Sequence, residues 1–278
     1  MQDIYIVKLN GERELFDITK LKNSLRRAGA DEKSIQEISL KIVEELKDGT
    51  TTTKIYKKAF SFLRKKDKVI AGKYSVRRAI EGLGPHGFPF EDFIGEIFRA
   101  KGYDVEVGQT VNGKCVMHEM DVVAHNEKEI IVGEIKFHND TALKSDLKVA
   151  LYVKARLDDI KEGDFYQRFG EGKEIKHYLI TNTKFSGRAI QYGNCAGLNL
   201  IGWNYPSQGN LQDLVEETKV HPLTCLVSLT KKEKQEFLNQ GIVLCKDIIG
   251  GGENILGTVG ISGQRVEKVL AEAKNICK

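Results

Sequence analysis

Alternation opens the chain: Ile4, Tyr5, Ile6, Val7 and Leu9 lead into Asn10-Gly11, and a second short apolar-polar run follows to Phe16. Apolar alternation around Asn-Gly predicts a β-hairpin. Asp17 to Thr19 then reads as a helix start, with Leu21, Leu25 and Ala28 at helical spacing and Gly29 as the stop. A second helix is predicted over 31–46, with Ile35, Ile38, Ile42, Val43 and Leu46 as its apolar stripe. After the turn at Gly49 to Thr53, helices are expected over 54–64 and 71–83. Gly84-Pro85-His86-Gly87-Phe88-Pro89 ends this run, because Pro and Gly do not continue a helix.

The middle of the chain changes period. It reads as helix 90–101, strands 103–109, 115–124 and 129–137, helix 140–160, strand 177–181, helix 186–195 and strand 198–203. That order predicts a mixed sheet with helices on both faces. From Leu211 onward the pattern is helical again. Thr230-Lys231-Lys232-Glu233 has the form of a capping box, Gly250-Gly251-Gly252 reads as a flexible break, and a last helix is expected over 263–277. The fold class is therefore multidomain α/β, with boundaries expected at 1–83, 84–206 and 207–278.

Composition narrows the class. With 41% hydrophobic and 29% charged residues there is material for a core, and no apolar run reaches the roughly 18 residues of a membrane span. The N-terminus lacks a secretory layout, and the five cysteines are odd in number and without a C-x-x-C pair. A reduced cytoplasm is expected, with no zinc or disulfide framework. Charge is uneven: residues 1–85 hold 19 Lys and Arg against 12 Asp and Glu. Between Lys54 and Arg78 ten basic residues face the single acid Asp67, which makes either a solvated helix face or a phosphate-binding surface.

The candidate chemistry lies in the middle segment. Asp121 falls on one expected strand and Glu134-Ile135-Lys136 on the next. Side chains alternate along a strand, so Glu134 and Lys136 share a face that Asp121 can approach from the neighbour. Two converging carboxylates suit Mg²⁺, and a lysine beside them serves phosphodiester hydrolysis by orienting water or balancing charge. Such a pattern arises easily by chance in a charged chain. Here the flanks Met120-Val122-Val123 and Ile130-Ile131-Val132 are strongly apolar, and charges in such surroundings demand a reason. Gly133 permits close approach, and Glu91 and Glu96 lie just upstream as possible third acids.

Residues 88–203 resemble the Mrr-type restriction endonuclease domain of the PD-(D/E)xK superfamily. The matching pieces are Phe90-Glu91 through Arg99-Ala100-Lys101-Gly102-Tyr103, His118 to Ala124, Gly133 to Phe137, and Leu179 to Ser186 with Ala189. The resemblance implies Asp121 and Glu134 as ligands of Mg²⁺ or Mn²⁺, Lys136 as catalytic lysine, and Glu91 as a supporting acid with Glu96 second. Many relatives have Gln where Glu134 stands. His118 and His138 flank the centre, either as phosphate contacts or as locally bonded side chains.

Val7-Lys8-x-Asn10-Gly11, Phe16-Asp17-x-x-Lys20-Leu21, Gly49-x-x-Thr52-x-x-Ile55-Tyr56 and Lys73-Tyr74-Ser75-x-x-Arg78-Ala79 together resemble the ATP-cone, a nucleotide-sensing domain of many ribonucleotide reductases. The resemblance implies an ATP or dATP site lined by Val7, Lys8, Glu14, Lys20, Thr52 and Tyr56. It departs at Leu9, where the family usually has Arg, and both the reductase partner and paired zinc-ribbon cysteines are missing. Leu256 to Gly263 leading into Val266, Val269 and Leu270 resembles half of a helix-hairpin-helix unit or a plain interhelical turn. The expected function is an ATP- or dATP-responsive Mg²⁺-dependent DNA endonuclease, at least dimeric, in restriction or phage defence. The alternatives are a nucleotide-sensing DNA-binding regulator without cleavage, a structure-selective resolvase or an RNA nuclease.

Overall fold

A computed structural model describes residues 4–84, 87–140 and 142–278. Pro85 and His86 of the expected boundary and Thr141 lie outside the described residues. The chain divides into two compact units, one built from the segment up to Ala79 together with His221–Lys278, the other from Ile80–Val220.

The N-terminal hairpin forms from β1 (Tyr5–Val7) and β2 (Arg13–Leu15), antiparallel, with Gly11 at φ 81° in the turn and Lys8 N–H donating to Glu12 O at 2.8 Å. β3 (Thr50–Thr51) joins β1 in parallel. Helices α1 (Ile18–Arg27), α2 (Glu32–Glu44) and α3 (Thr52–Lys66) start at Asp17, Asp31 and Thr51, each accepting a backbone N–H of the first turn. Their buried stripes, Leu21 and Leu25, Ile35, Ile38 and Ile42, and Ile55, Ala59 and Leu63, close one apolar core.

The helix expected over 71–83 is two: α4 (Lys68–Tyr74) and α5 (Val76–Glu81). Asp67 accepts from Val69 and Ile70 N–H and so starts α4 three residues before the expected point. Ser75 breaks the pair, donating from its hydroxyl to Gly72 O at 2.9 Å.

In the second unit, α6 (Phe88–Ala100) precedes the antiparallel strands β4 (Asp104–Asn112), β5 (Met117–His125) and β6 (Glu129–Lys136). The long helix does not begin near Asp140. Lys144–Ser145 form β7, which pairs with β9 (Lys184–Phe185), and Asp146 caps α7 (Leu147–Glu162). β8 (Glu174–Thr181), α8 (Gly187–Ala196), β10 (Leu198–Ile201) and α9 (Leu211–Thr218) follow. The sheet runs β10-β8-β6-β5-β4, with the first three strands parallel and the rest antiparallel. Adjacent residues on β8 show helices on both faces. Tyr178 meets Phe98 of α6 edge-on, while Leu179 packs in the core that holds Val153 and Leu157 of α7.

The C-terminal helices α10 (Lys231–Asn239), α11 (Cys245–Thr258) and α12 (Gln264–Ile276) belong to the first unit. The Thr230–Glu233 capping box forms as expected, but α11 runs on through Gly250 and Gly251 and kinks at Gly252. The expected 207–278 segment is thus divided. Glu217 of α9 pairs with Lys101 at 3.0 Å within the second unit. In the first unit, Thr224 Oγ donates to Ala79 O, and a Cβ on Gly72 would lie 2.8 Å from Ile276 Cδ1, so α12 packs tightly on α4. Among the described residues no helix is long and apolar enough to cross a membrane.

Candidate active site

The β5–β6 register, Val122 against Gly133, carries Asp121 opposite Glu134. A Cβ on Gly133 would stand 2.9 Å from Val122 Cγ1, so the glycine permits the close approach here. Asp121 Oδ2 accepts the Ile135 N–H at 2.6 Å, which fastens the carboxylate across the two strands.

Glu134 is nearly enclosed, its side chain 4% exposed. Lys136 Nζ reaches one of its oxygens at 2.5 Å and Arg156 Nη1 the other at 2.5 Å. Arg156 also donates to the Glu119 carbonyl on β5. Arg156 was not foreseen from the sequence. Its only signal is its place between Val153 and Leu157 on the buried stripe of α7, where a cation needs a partner.

Glu91, in the first turn of α6, completes an acidic group. Burial pushes its carboxyl up to about 7, helped by the charges of Asp121, Asp92, Glu119 and Glu134. Asp121 rises to about 6, first through burial and then through Glu134, against the pull of the Ile135 N–H, Lys136 and Arg156. Glu96 instead pairs with Arg99 at 2.6 Å and takes no part. Both flanking histidines have local partners. His118 Nε2 contacts Asp159 Oδ2 at 2.7 Å, and His138 Nε2 contacts Ser145 Oγ at 3.1 Å.

Among the described residues no cluster of three or more His, Cys, Asp or Glu forms a metal cage. The donor set fits Mg²⁺ in another way. This cation takes one or two protein carboxylates and completes its shell with water and phosphate. Lys136 and Arg156 both pair with Glu134. The carboxyls of Glu91 and Asp121 are raised first by burial and then by their acidic neighbours, surroundings in which a divalent cation would favour the charged forms.

In the first unit, Lys8 and Lys20 converge on Glu14 at 2.5 and 2.6 Å and hold its carboxyl at about 2, Lys20 most strongly. Val7 pairs with Thr51, which sets Thr52 beside this cluster at the start of α3. One turn on, Tyr56 stacks on Tyr74 with centroids 5.2 Å apart, and the Arg78 guanidinium lies 3.7 Å over its ring. Tyr74 and Arg78, both within the Lys73-Tyr74-Ser75-x-x-Arg78-Ala79 motif, thus close around Tyr56. Leu9, where Arg is usual, is 63% exposed.

Comparison with known proteins accords with this division. The ATP cone domain family matches residues 4–82, and the AF1548-like, C-terminal family matches residues 221–277. An uncharacterized protein of Archaeoglobus fulgidus is 33% identical over 183 residues, 66% of this chain and 99% of that protein. The crystal structure of a protein of unknown function, AF1548, aligns at TM-score 0.55 and 31% identity, covering 69% of this chain and 98% of the other. A repair endonuclease from Pyrococcus abyssi reaches TM-score 0.32 at 18% identity, over 42% of this chain and 46% of its own.

Proposed function

This chain belongs to the AF1548-like family, and we propose that it is a Mg²⁺-dependent DNA endonuclease of the PD-(D/E)xK kind, controlled by ATP or dATP at its N-terminal cone. The observation that carries the reading is the meeting of Asp121 and Glu134 with Lys136 at one end of the β5–β6 pair, with Glu91 near enough to feel the charge of both acids. A protein that only held DNA would gain nothing from acids that repel phosphate.

Asp121 and Glu134 would hold the cation, with Mn²⁺ as a substitute, and Glu91 stands by as a third carboxylate. The cation would supply Lewis acidity at the scissile phosphate. Lys136, already directed along the face it shares with Glu134, holds the attacking water and offsets charge on the phosphate oxygens. Arg156 fixes the second Glu134 oxygen, so that this carboxylate meets its ligand in one orientation.

In the cone, Lys8 and Lys20 would be the phosphate ligands, and Thr52 lies at a helix N-terminus suited to anions. Glu14 keeps the two lysines together, and Val7 and Tyr56 would complete the lining of the nucleotide site.

The test is cleavage of plasmid, linear and branched DNA and of RNA with Mg²⁺, Mn²⁺ or EDTA, with and without ATP and dATP. Metal-dependent cutting of DNA is expected. Binding without cutting on every substrate would overturn the assignment in favour of a DNA-binding regulator, and cutting of RNA alone would change the substrate.

A further inference from the structure

The basic run of the first unit resolves into a stripe. On α3, Lys54, Lys57, Ser61, Arg64 and Lys65 recur at steps of three and four, and all are exposed. At about 100° per residue they occupy one side of the helix, with Thr52 and Tyr56 on the opposite side. A ligand on the stripe and a nucleotide in the cone would therefore use different faces of the same helix.

The stripe is not neutralised from within. Among the described residues none of Lys54, Lys57, Arg64 or Lys65 has an ion pair. Acids beside the run are committed to other partners, Glu45 to Lys58 and Glu37 to Lys66 at 3.2 Å, and Asp67 caps α4. Four uncompensated cations run along about 16 Å of rigid helix. Duplex DNA presents one negative charge per roughly 1.7 Å of axis, so a matching row of phosphates lies opposite.

We propose that this face of α3 is a second, sequence-independent contact for the nucleic-acid backbone, outside the nuclease unit. It deepens the nuclease reading by giving the substrate an anchor on the unit that senses nucleotide. The stripe is a row of charges with no aromatic, Asn or Gln side chain among its positions, which suits contact with phosphates along the backbone and hence duplexes of any sequence.

The experiment is fluorescence anisotropy of the full chain with a 30-base-pair duplex in EDTA, between 50 and 200 mM salt. The probe protein carries K54Q, K57Q, R64Q and K65Q together. The control carries K33Q, K47Q, K231Q and K232Q, which removes the same charge from exposed positions elsewhere. Expected are an affinity loss of at least tenfold for the stripe variant at 50 mM salt and a fall in the log–log salt slope of about 3 to 4, with the control within about one of the parent. An unchanged slope, or an equal loss in the control, would overturn the proposal. So would a loss seen only with phosphatidylserine vesicles and not with DNA, since the face would then serve a lipid surface. Because EDTA excludes cleavage, failure of the nuclease reading leaves this result intact, and the converse holds.

Discussion

Arg156 and Glu134 form the most enclosed ion pair of the second unit's acidic centre, 2.5 Å apart with side chains 14% and 4% exposed. The arginine reaches β6 from α7 and at the same time donates to the Glu119 carbonyl of β5. It ties helix and both acid-bearing strands at one point. Its removal leaves a buried carboxylate with Lys136 alone. We expect Arg156→Ala to destabilise the second unit by about 3 kcal/mol. Arg156→Lys should recover only part of this, because an ammonium cannot span both acceptors as a planar fork does. Thermal melting checks both, and an unshifted transition in Arg156→Ala would show the pair to be incidental.

On the proposed reading, Asp121 and Lys136 serve the reaction and not the core. Asp121→Ala and Lys136→Ala are each expected to bring cleavage to background at equal protein, with unchanged circular dichroism. Asp121→Asn should melt at the parent temperature or above it in EDTA, since it relieves one of three crowded carboxylates. Full cleavage by any of the three variants would refute the assigned centre.

His177 supplies a pH signature in the same unit. It is buried on β8 with Tyr166 Oη 3.0 Å from its Nε2, and burial first, then Lys154, lowers it to about 4, while Lys161 adds and Asp158 opposes. The folded state thus disfavours the protonated ring. Its contribution is complete above the ordinary value near 6.5 and is lost as pH falls from there through about 4. The difference amounts to about 3 kcal/mol. Between pH 7.5 and 4.5 the raised carboxyls of Glu91 and Asp121 act in the opposite direction, so the signature is the difference between proteins. In denaturant titrations the parent should lose about 2 kcal/mol more, or gain that much less, than His177→Gln over this interval. A parallel change in the two proteins would locate the pH dependence elsewhere.

For the cone, ATP and dATP are expected to bind, with Lys8→Ala and Lys20→Ala each weakening affinity about tenfold through loss of a charge-assisted contact. Leu9→Arg should strengthen binding, as it restores a cation at an exposed position beside the hairpin turn. Calorimetry decides, and the absence of heat at millimolar nucleotide in all variants would make the cone structural.

What could be read in advance follows the range of the forces involved. The hairpin, the strand pair bearing Asp121 and Glu134, and most helix stripes are set by local alternation and caps, and they are found close to their expected places. Arg156 could not be paired with Glu134, 22 residues away, because helical periodicity tells which side is buried and not which acid waits there. The same holds for α12, whose contact with Gly72 spans most of the chain and joins the C-terminal helices to the cone. The misplaced start of α4 is different, since the Asp67 cap was present in the sequence and was hidden by the charge run around it. β7 and β9 are two residues each, too short for a period to register.

The last prediction concerns communication. The nucleotide residues Lys8, Glu14 and Lys20 belong to one compact unit, and Asp121, Glu134 and Lys136 to the other. In the proposed reading the nucleotide is an effector and supplies no group to the reaction. It can change the rate only by binding one arrangement or assembly state more tightly than another, and the shift it produces is limited by that difference in affinity. Cone domains in reductases commonly work through subunit association, which makes oligomerisation the expected switch and a dimer the smallest active form. A twofold assembly would also bring two centres to the two strands of a duplex. Light scattering at matched concentration without nucleotide, with ATP and with dATP should give different masses, and cleavage rates should follow the mass. If mass and rate stay constant across the three conditions while calorimetry shows nucleotide bound, the cone is a passive appendage and regulation through assembly is ruled out.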